Sequence, residues 1–323
     1  MKTTNLIIEE ATLESSLSNF YDLKEPIICT FIRRSFNDHY IVESNNEKYI
    51  LRVYINNKSY IHNINDIHFE LSFLEYLHGK NIPVISPIKS KTNQTLCTLQ
   101  VNSETRNIAL FPFAKGAPID HNLNRNQSNS LGEILAKLHM CSNGFNSDKS
   151  RYHLDIQTLI EEPLQRIEEY SSLYGFGNLS FFSNKSSLLI ESILKIPMDT
   201  ETYGLVHGDP NPSNFFLSDK DGFSIFDFDH CAFGFRIHDL AVIKLCFPEE
   251  VYVEVLKGYE QIRPLKSVER DCVMYYSDIL LIKKFSDIYD MLQITDAAES
   301  EKHRITENAF NTLKMIVDEG TGG

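Results

Sequence analysis

Four polar residues at the two ends of one short segment carry the chemistry that this chain suggests. Asp209 and Asn214 lie in the loop His207-Gly-Asp-Pro-Asn-Pro-Ser-Asn214, and Asp227 and Asp229 follow in Phe226-Asp-Phe-Asp229. Two prolines and a glycine keep the first loop out of helix and strand. Between the pairs, Phe215-Phe216-Leu217 reads as a strand. Asp219-Lys220-Asp221-Gly222 reads as a turn in which glycine accepts a positive φ, and Phe223 to Phe226 reads as the return strand. An antiparallel hairpin brings its open ends together. The expectation is therefore a cluster of carboxylates and one carboxamide at a hairpin mouth. Such hard oxygen donors suit Mg²⁺, which is usually held by one or two protein groups and by phosphate oxygens. A solvated acidic hairpin without a ligand is the plain alternative. Two spaced motifs agreeing with one supersecondary unit favour the ligand.

The elements that must position these groups read as follows. Residues 3–20 form a helix with Leu6, Leu13 and Leu17 on one face, and strands at 29–32, 39–43 and 48–54 make a β-meander. The loop 33–38 between the first two strands has no glycine. Ser35 and Asn37 there either offer donors to phosphate or belong to an exposed polar turn. A helix over 63–78 places Ile64, Ile67, Leu71, Leu74 and Leu77 on one face, with Glu70 beside it. Arg52 on the third strand is the candidate partner for that carboxylate, against the alternative that both are ordinary surface charges. A second hairpin, 96–101 with 106–111, leads to Phe111-Pro112-Phe113-Ala114-Lys115-Gly116, where Pro112 and Gly116 interrupt regular structure. The domain boundary is placed there, giving 1–111 and 112–323. Helices are expected over 128–140, 154–170, 181–194, 239–245, 251–259, 268–289 and 304–317, with a frayed tail at 320–323.

Bulk properties set limits. The chain has 323 residues, 42% of them hydrophobic and 23% charged, which suits a globular protein of two lobes. Lysine and arginine number 31 against 44 aspartates and glutamates, a net charge of −13. That balance argues against nucleic acid and anionic membrane as partners, and is compatible with a cationic substrate. The six cysteines are scattered, with no C-x-x-C, so neither a zinc site nor a disulfide framework is expected, and a reduced cytoplasmic setting fits. The N-terminus lacks the apolar core of a signal peptide, and no apolar run approaches a membrane span.

The spacing His-x-Asp-x-x-x-x-Asn followed by a strand-borne Asp is the catalytic arrangement of protein kinases. Together with FDFDHCAFGFRIHDLA at 226–241, YILRVY at 49–54, LGEILAKLH at 131–139 and GYEQIRPL at 258–265, it resembles the aminoglycoside phosphotransferase and choline kinase superfamily. In style it is nearest the homoserine kinase-like and hydroxylysine kinase-like branch, which also includes a bacterial stress-response kinase. The resemblance implies an α+β, bilobal protein-kinase-like fold with an antiparallel-sheet N-lobe, a mainly helical C-lobe, and ATP between them. It also implies that Asp209 is the catalytic aspartate, that Asn214 and Asp227 bind Mg²⁺, and that Asp229 assists the metal or the loop. His207 and Asp239 support the site. Arg52 and Glu70 take the place of the kinase lysine–glutamate pair, Ser35 and Asn37 lie in the phosphate loop, and Phe111 and Phe113 lie at the adenine hinge. The departures are the glycine-free phosphate loop and arginine for lysine at 52.

The implied function is ATP- and Mg²⁺-dependent phosphorylation of a hydroxyl on a small, amine-bearing molecule. One rival is a protein Ser/Thr kinase of the stress-response type. Asp227 and Asp239 are only 12 positions apart (239 − 227), which leaves little room for a peptide-docking segment. The other rival is a nucleotide-binding module without catalysis, motivated by Arg52 and the missing glycines. The intact Asp209, Asn214 and Asp227 argue against it.

Overall fold

The computed structural model describes residues 5–58, 60–61, 63–119, 121–175, 180–293 and 297–319. Residues 3 and 4 of the expected first helix and the tail at 320–323 lie outside them. Helix α1 (Glu10–Phe20) starts later than its leucine spacing suggested. Leu13 and Leu17 are fully buried, but Leu6 precedes the helix and is exposed. The meander follows as β1 (Ile27–Arg34), β2 (Asn37–Ser44) and β3 (Glu47–Tyr54). The loop expected over 33–38 shrinks to the turn at 35–36, because the strands pair up to Arg34 and Asp38. Helix α2 (Ile64–Gly79) begins at a capping box, in which the Asn63 side chain accepts from backbone N–H groups and Asp66 returns the bond. Strands β4 (Cys97–Val101) and β5 (Glu104–Pro112) complete an antiparallel sheet of order β1-β2-β3-β5-β4.

Strand alternation explains why β3 carries chemistry. Leu51 and Val53 point into a core shared with Leu13, Leu17, Tyr40, Val42 and Leu110. Arg52 faces the other way, and α2 covers that face with Glu70, itself fully buried.

The chain clusters into two units. The first runs past the expected boundary at 111 to Ala117, and also takes in 146–150 and 216–229. The short strand β6 (Ala117–Pro118) marks the crossing. In the second unit come α3 (Arg125–Ser142), β7 (His153–Leu154), a π-helical turn over 157–161, α4 (Glu162–Tyr174), α5 (Ser180–Ile193) and β8 (Tyr203–Val206). The expected hairpin follows as β9 (Phe215–Ser218) and β10 (Gly222–Ile225). From Phe216 onward it clusters with the first unit, whereas the boundary at 111 put it in the second. The physical reason is that Ile225 exchanges backbone hydrogen bonds of 2.8 Å with Pro83 and Ile85 of the connector after α2. The second unit resumes with β11 (Ala232–Phe235), α6 (Ile237–Cys246), α7 (Glu249–Ile262), α8 (Ser267–Gln293) and α9 (Glu299–Glu319). Its small sheet, β7-β11-β8, was not expected, since strands of two to four residues leave almost no periodicity to read.

Among the described residues no helix is long and apolar enough to cross a membrane. The six cysteines are free thiols.

Candidate active site

In the second unit the site is built around Asp239, the third residue of α6 and fully buried. Its Oδ2 accepts the His207 backbone N–H at 2.8 Å, and its Oδ1 accepts that of Gly208 at 2.9 Å. The His139 Nε2–H on α3 donates to Oδ2 at 2.9 Å, and the Tyr259 hydroxyl on α7 donates to His139 Nδ1 at 2.7 Å. Burial works against the Asp239 charge, but the hydrogen bond from His139 and the surrounding histidines hold its pKa down at about 2. Burial also pushes His139 down to about 4, so at neutral pH it is an uncharged donor. Asp239 thus ties the loop that carries Asp209 to α6 through two backbone amides.

Gly208 takes φ +87, and a Cβ there would sit 2.1 Å from the His230 carbonyl oxygen, so only glycine fits. His207 is fully buried, and its Nδ1 accepts the Asp209 backbone N–H at 3.2 Å. The Asp209 carboxylate is half-buried. Its Oδ2 accepts the Asn211 amide at 2.8 Å and that of Asn214 at 3.3 Å. Asn214, on a single 3₁₀ turn, also donates Nδ2 to the Asp209 backbone oxygen at 2.8 Å. The structure therefore brings His207, Asp209, Asn214 and Asp239 together.

In the first unit, Arg52 Nη1 meets Glu70 Oε1 at 2.6 Å and Nη2 meets Asp227 Oδ1 at 3.1 Å. The guanidinium lies over the Phe111 ring at 5.1 Å. Burial opposes the Arg52 charge, but Glu70 and then Asp227 outweigh it and raise the pKa. Asp227 stands at φ +64 with its side chain 28% exposed. Phe113 is 38% exposed and packs edge-on against Phe216. Ser35 sits on the tight turn, its N–H donating to the Asn37 carbonyl at 2.9 Å.

One residue is used otherwise than expected. Asn37 is neither part of an exposed polar turn nor free to offer its side chain as a donor to phosphate. It is buried, with Nδ2 donating to Asp229 Oδ2 at 2.9 Å and Oδ1 accepting from Lys58 Nζ at 2.9 Å. Asp229 is buried as well, and its Oδ2 accepts Lys58 Nζ at 2.7 Å and the Tyr60 hydroxyl at 2.8 Å. Sequence reasoning missed Lys58 and Tyr60, because Asn56-Asn57-Lys58 has the composition of an exposed turn. It also missed His139, although that residue lies four positions after Leu135 on the apolar face of α3.

In the second unit Asn214 has its amide nitrogen turned to Asp209, which leaves its amide oxygen as a hard donor. In the first unit the Asp227 carboxylate is reachable from solvent. Each is the kind of oxygen ligand that suits Mg²⁺. Among the described residues no three His, Cys, Asp or Glu side chains gather into a cage made of protein alone. Mg²⁺ held partly by phosphate oxygens needs no such cage.

Comparison with known proteins gives the family and the fold. The profile of the phosphotransferase enzyme family matches residues 30–268. A homoserine kinase of Caulobacter vibrioides is 24% identical over 276 residues, covering 82% of each chain. An aminopropanol kinase associated with a microcompartment superposes with a TM-score of 0.76 at 18% identity, over 96% of this chain and 97% of the other. An amicoumacin kinase solved with AMP-PNP, Ca²⁺ and Ami superposes with a TM-score of 0.73 at 18% identity, over 97% and 94% of the two chains. The architecture is thus the protein-kinase-like α+β fold of these enzymes, as the sequence motifs implied.

Proposed function

This chain belongs to the phosphotransferase enzyme family, and from that premise we propose that it moves the γ-phosphate of ATP to a hydroxyl of a small, amine-bearing molecule, with Mg²⁺ as its metal. The observation that carries this reading is the presentation of Asp209. A loop anchored by two backbone amides to a buried aspartate holds a half-buried carboxylate with Asn214 beside it. Asp209 orients the acceptor hydroxyl and takes its proton as the new oxygen–phosphorus bond forms and the bond to the ADP leaving group breaks. Asn214 and Asp227 are the residues that would hold the metal. Bound there, Mg²⁺ neutralises charge on the phosphates. Arg52, gripped by Glu70, adds a fixed positive charge for the same anion, and arginine can hold phosphate through two parallel hydrogen bonds. Phe111 and Phe113 serve the adenine, and the backbone at Ser35 serves the phosphates.

The amine on the acceptor is supported by the net charge of −13 and by the substrates that name the relatives, since homoserine and aminopropanol both carry an amine beside a hydroxyl. Six free thiols accord with a reducing cytoplasm. The test is ADP release from Mg²⁺·ATP over a panel of amino alcohols, hydroxy amino acids and aminoglycosides. One of these classes is expected to be turned over, with activity abolished by a chelator and restored by Mg²⁺. Absence of nucleotide binding, or turnover confined to acceptors lacking an amine, would contradict the reading.

A further inference from the structure

The Phe226–Asp229 segment puts Asp227 in a backbone conformation that a non-glycine residue rarely takes, φ +64. Such a conformation is strained and persists only where the surroundings over-determine it. On the N-terminal side the hold is β10, bonded through Ile225 to Pro83 and Ile85. On the C-terminal side Phe228 is fully buried, edge-on to Phe73 of α2 at 6.0 Å. Beyond it, three donors from separate positions converge on one oxygen of Asp229: Lys58 Nζ at 2.7 Å, the Tyr60 hydroxyl at 2.8 Å and Asn37 Nδ2 at 2.9 Å. Lys58 and Asp229 are both almost wholly buried, at 4% and 1% exposure. The Lys58 ammonium also lies 5.6 Å from the Tyr54 ring centroid, and Tyr54 in turn hydrogen-bonds Glu70. The two charged residues flanking Phe228 are therefore held by two linked ion pairs, Asp227 to Arg52 and Asp229 to Lys58.

A buried ion pair is weak evidence for stability, because desolvation offsets the attraction. Its value lies in fixing one arrangement. We propose that Lys58, with Asn37 and Tyr60, is a positioning residue for the metal. By holding Asp229 it fixes the orientation of the Asp227 carboxylate two residues earlier, without touching the ion or the nucleotide. This rests on the assignment of Asp227 as a metal ligand made above. Residues that orient metal ligands from outside commonly change metal affinity about 10- to 100-fold when replaced.

The test measures the Mg²⁺ concentration needed for half of the thermal stabilisation by AMP-PNP, which requires no turnover and no known acceptor. Lys58→Met is expected to raise that concentration by about tenfold or more. Tyr60→Phe keeps both charges, and loss of one hydrogen bond is expected to raise it roughly threefold. The double variant Lys58→Met with Asp229→Asn removes the stranded carboxylate. It is expected to recover melting temperature relative to Lys58→Met while the Mg²⁺ requirement stays high. A role in stability alone would instead restore both together. Should Lys58→Met fail to fold, Tyr60→Phe decides the matter. Variants with the wild-type Mg²⁺ requirement would overturn the proposal and leave the phosphotransferase reading intact. A wild-type protein with no Mg²⁺-dependent stabilisation would overturn both.

Discussion

Asp239 shows how one buried charge organises the loop that carries Asp209, and it makes the protein's response to acid predictable. The His139 pKa is depressed from 6.5 to about 4, chiefly by burial, and that of His39 in the first unit likewise. A histidine with a lowered folded-state pKa contributes stability that is fully present above about 6.5 and is lost as pH falls through about 4, because the unfolded chain binds the proton more readily. Asp239 acts lower, its contribution present above its unfolded value of 3.8 and lost as pH falls towards about 2. The melting temperature is therefore expected to decline between pH 6.5 and 4. His139→Gln should be less stable at pH 7 and should show a shallower decline, with His39 leaving a residual slope. An unchanged slope in that variant would show that His139 is not held neutral. This residue was within reach of sequence reasoning, since its motif was noticed and its position falls on the apolar face of α3. Its partner Tyr259 lay in a second noticed motif, but pairing the two requires knowing that α3 packs on α7.

That packing is the controlling feature at the scale of elements. Glycines let the two helices approach closely. A Cβ at Gly132 of α3 would lie 1.9 Å from the Val255 carbonyl oxygen, and one at Gly258 of α7 would lie 1.9 Å from that of Asn129. Alanine in place of a helical glycine ordinarily stabilises by about 0.5–1 kcal/mol. Here the backbone contact reverses the sign, and Gly132→Ala and Gly258→Ala are each expected to destabilise by about 1–3 kcal/mol in chemical denaturation. A stabilising outcome would refute the close approach. Activity should fall with stability, since the same contact seats His139 against Tyr259. At this scale the meander, α2 and the β9–β10 hairpin were legible, because alternation, helical period and turn residues are local signals. The three-stranded sheet was not, and neither was the membership of the hairpin in the first unit. Both depend on pairings between distant stretches, such as Ile225 with Pro83 and Ile85. Asn37 and Lys58 escaped for a related reason: polar residues in a turn read as solvated until a buried carboxylate from far along the chain is placed against them.

For the molecule as a whole, the residues proposed to set the reaction were readable and those that would set the acceptor were not. Asp209, Asn214 and Asp227 occupy spaced motifs of the kind that phosphate and metal chemistry uses. Recognition of a small acceptor generally rests on the shape of a pocket and a few placed polar groups, which no short motif encodes. The net charge of −13 indicates only the sign of the preferred partner. The most direct measurement is to locate the transferred phosphoryl group by phosphorus NMR and mass spectrometry, after wild-type protein and Asp209→Asn are each incubated with Mg²⁺·ATP and the best amine-bearing acceptor. The account predicts a phosphate ester on the acceptor hydroxyl with wild type, and a rate lower by about 10²- to 10⁴-fold with Asp209→Asn, whose fold and nucleotide binding are retained. Phosphate on the amine, or an Asp209→Asn variant that forms the ester at the wild-type rate, would contradict it.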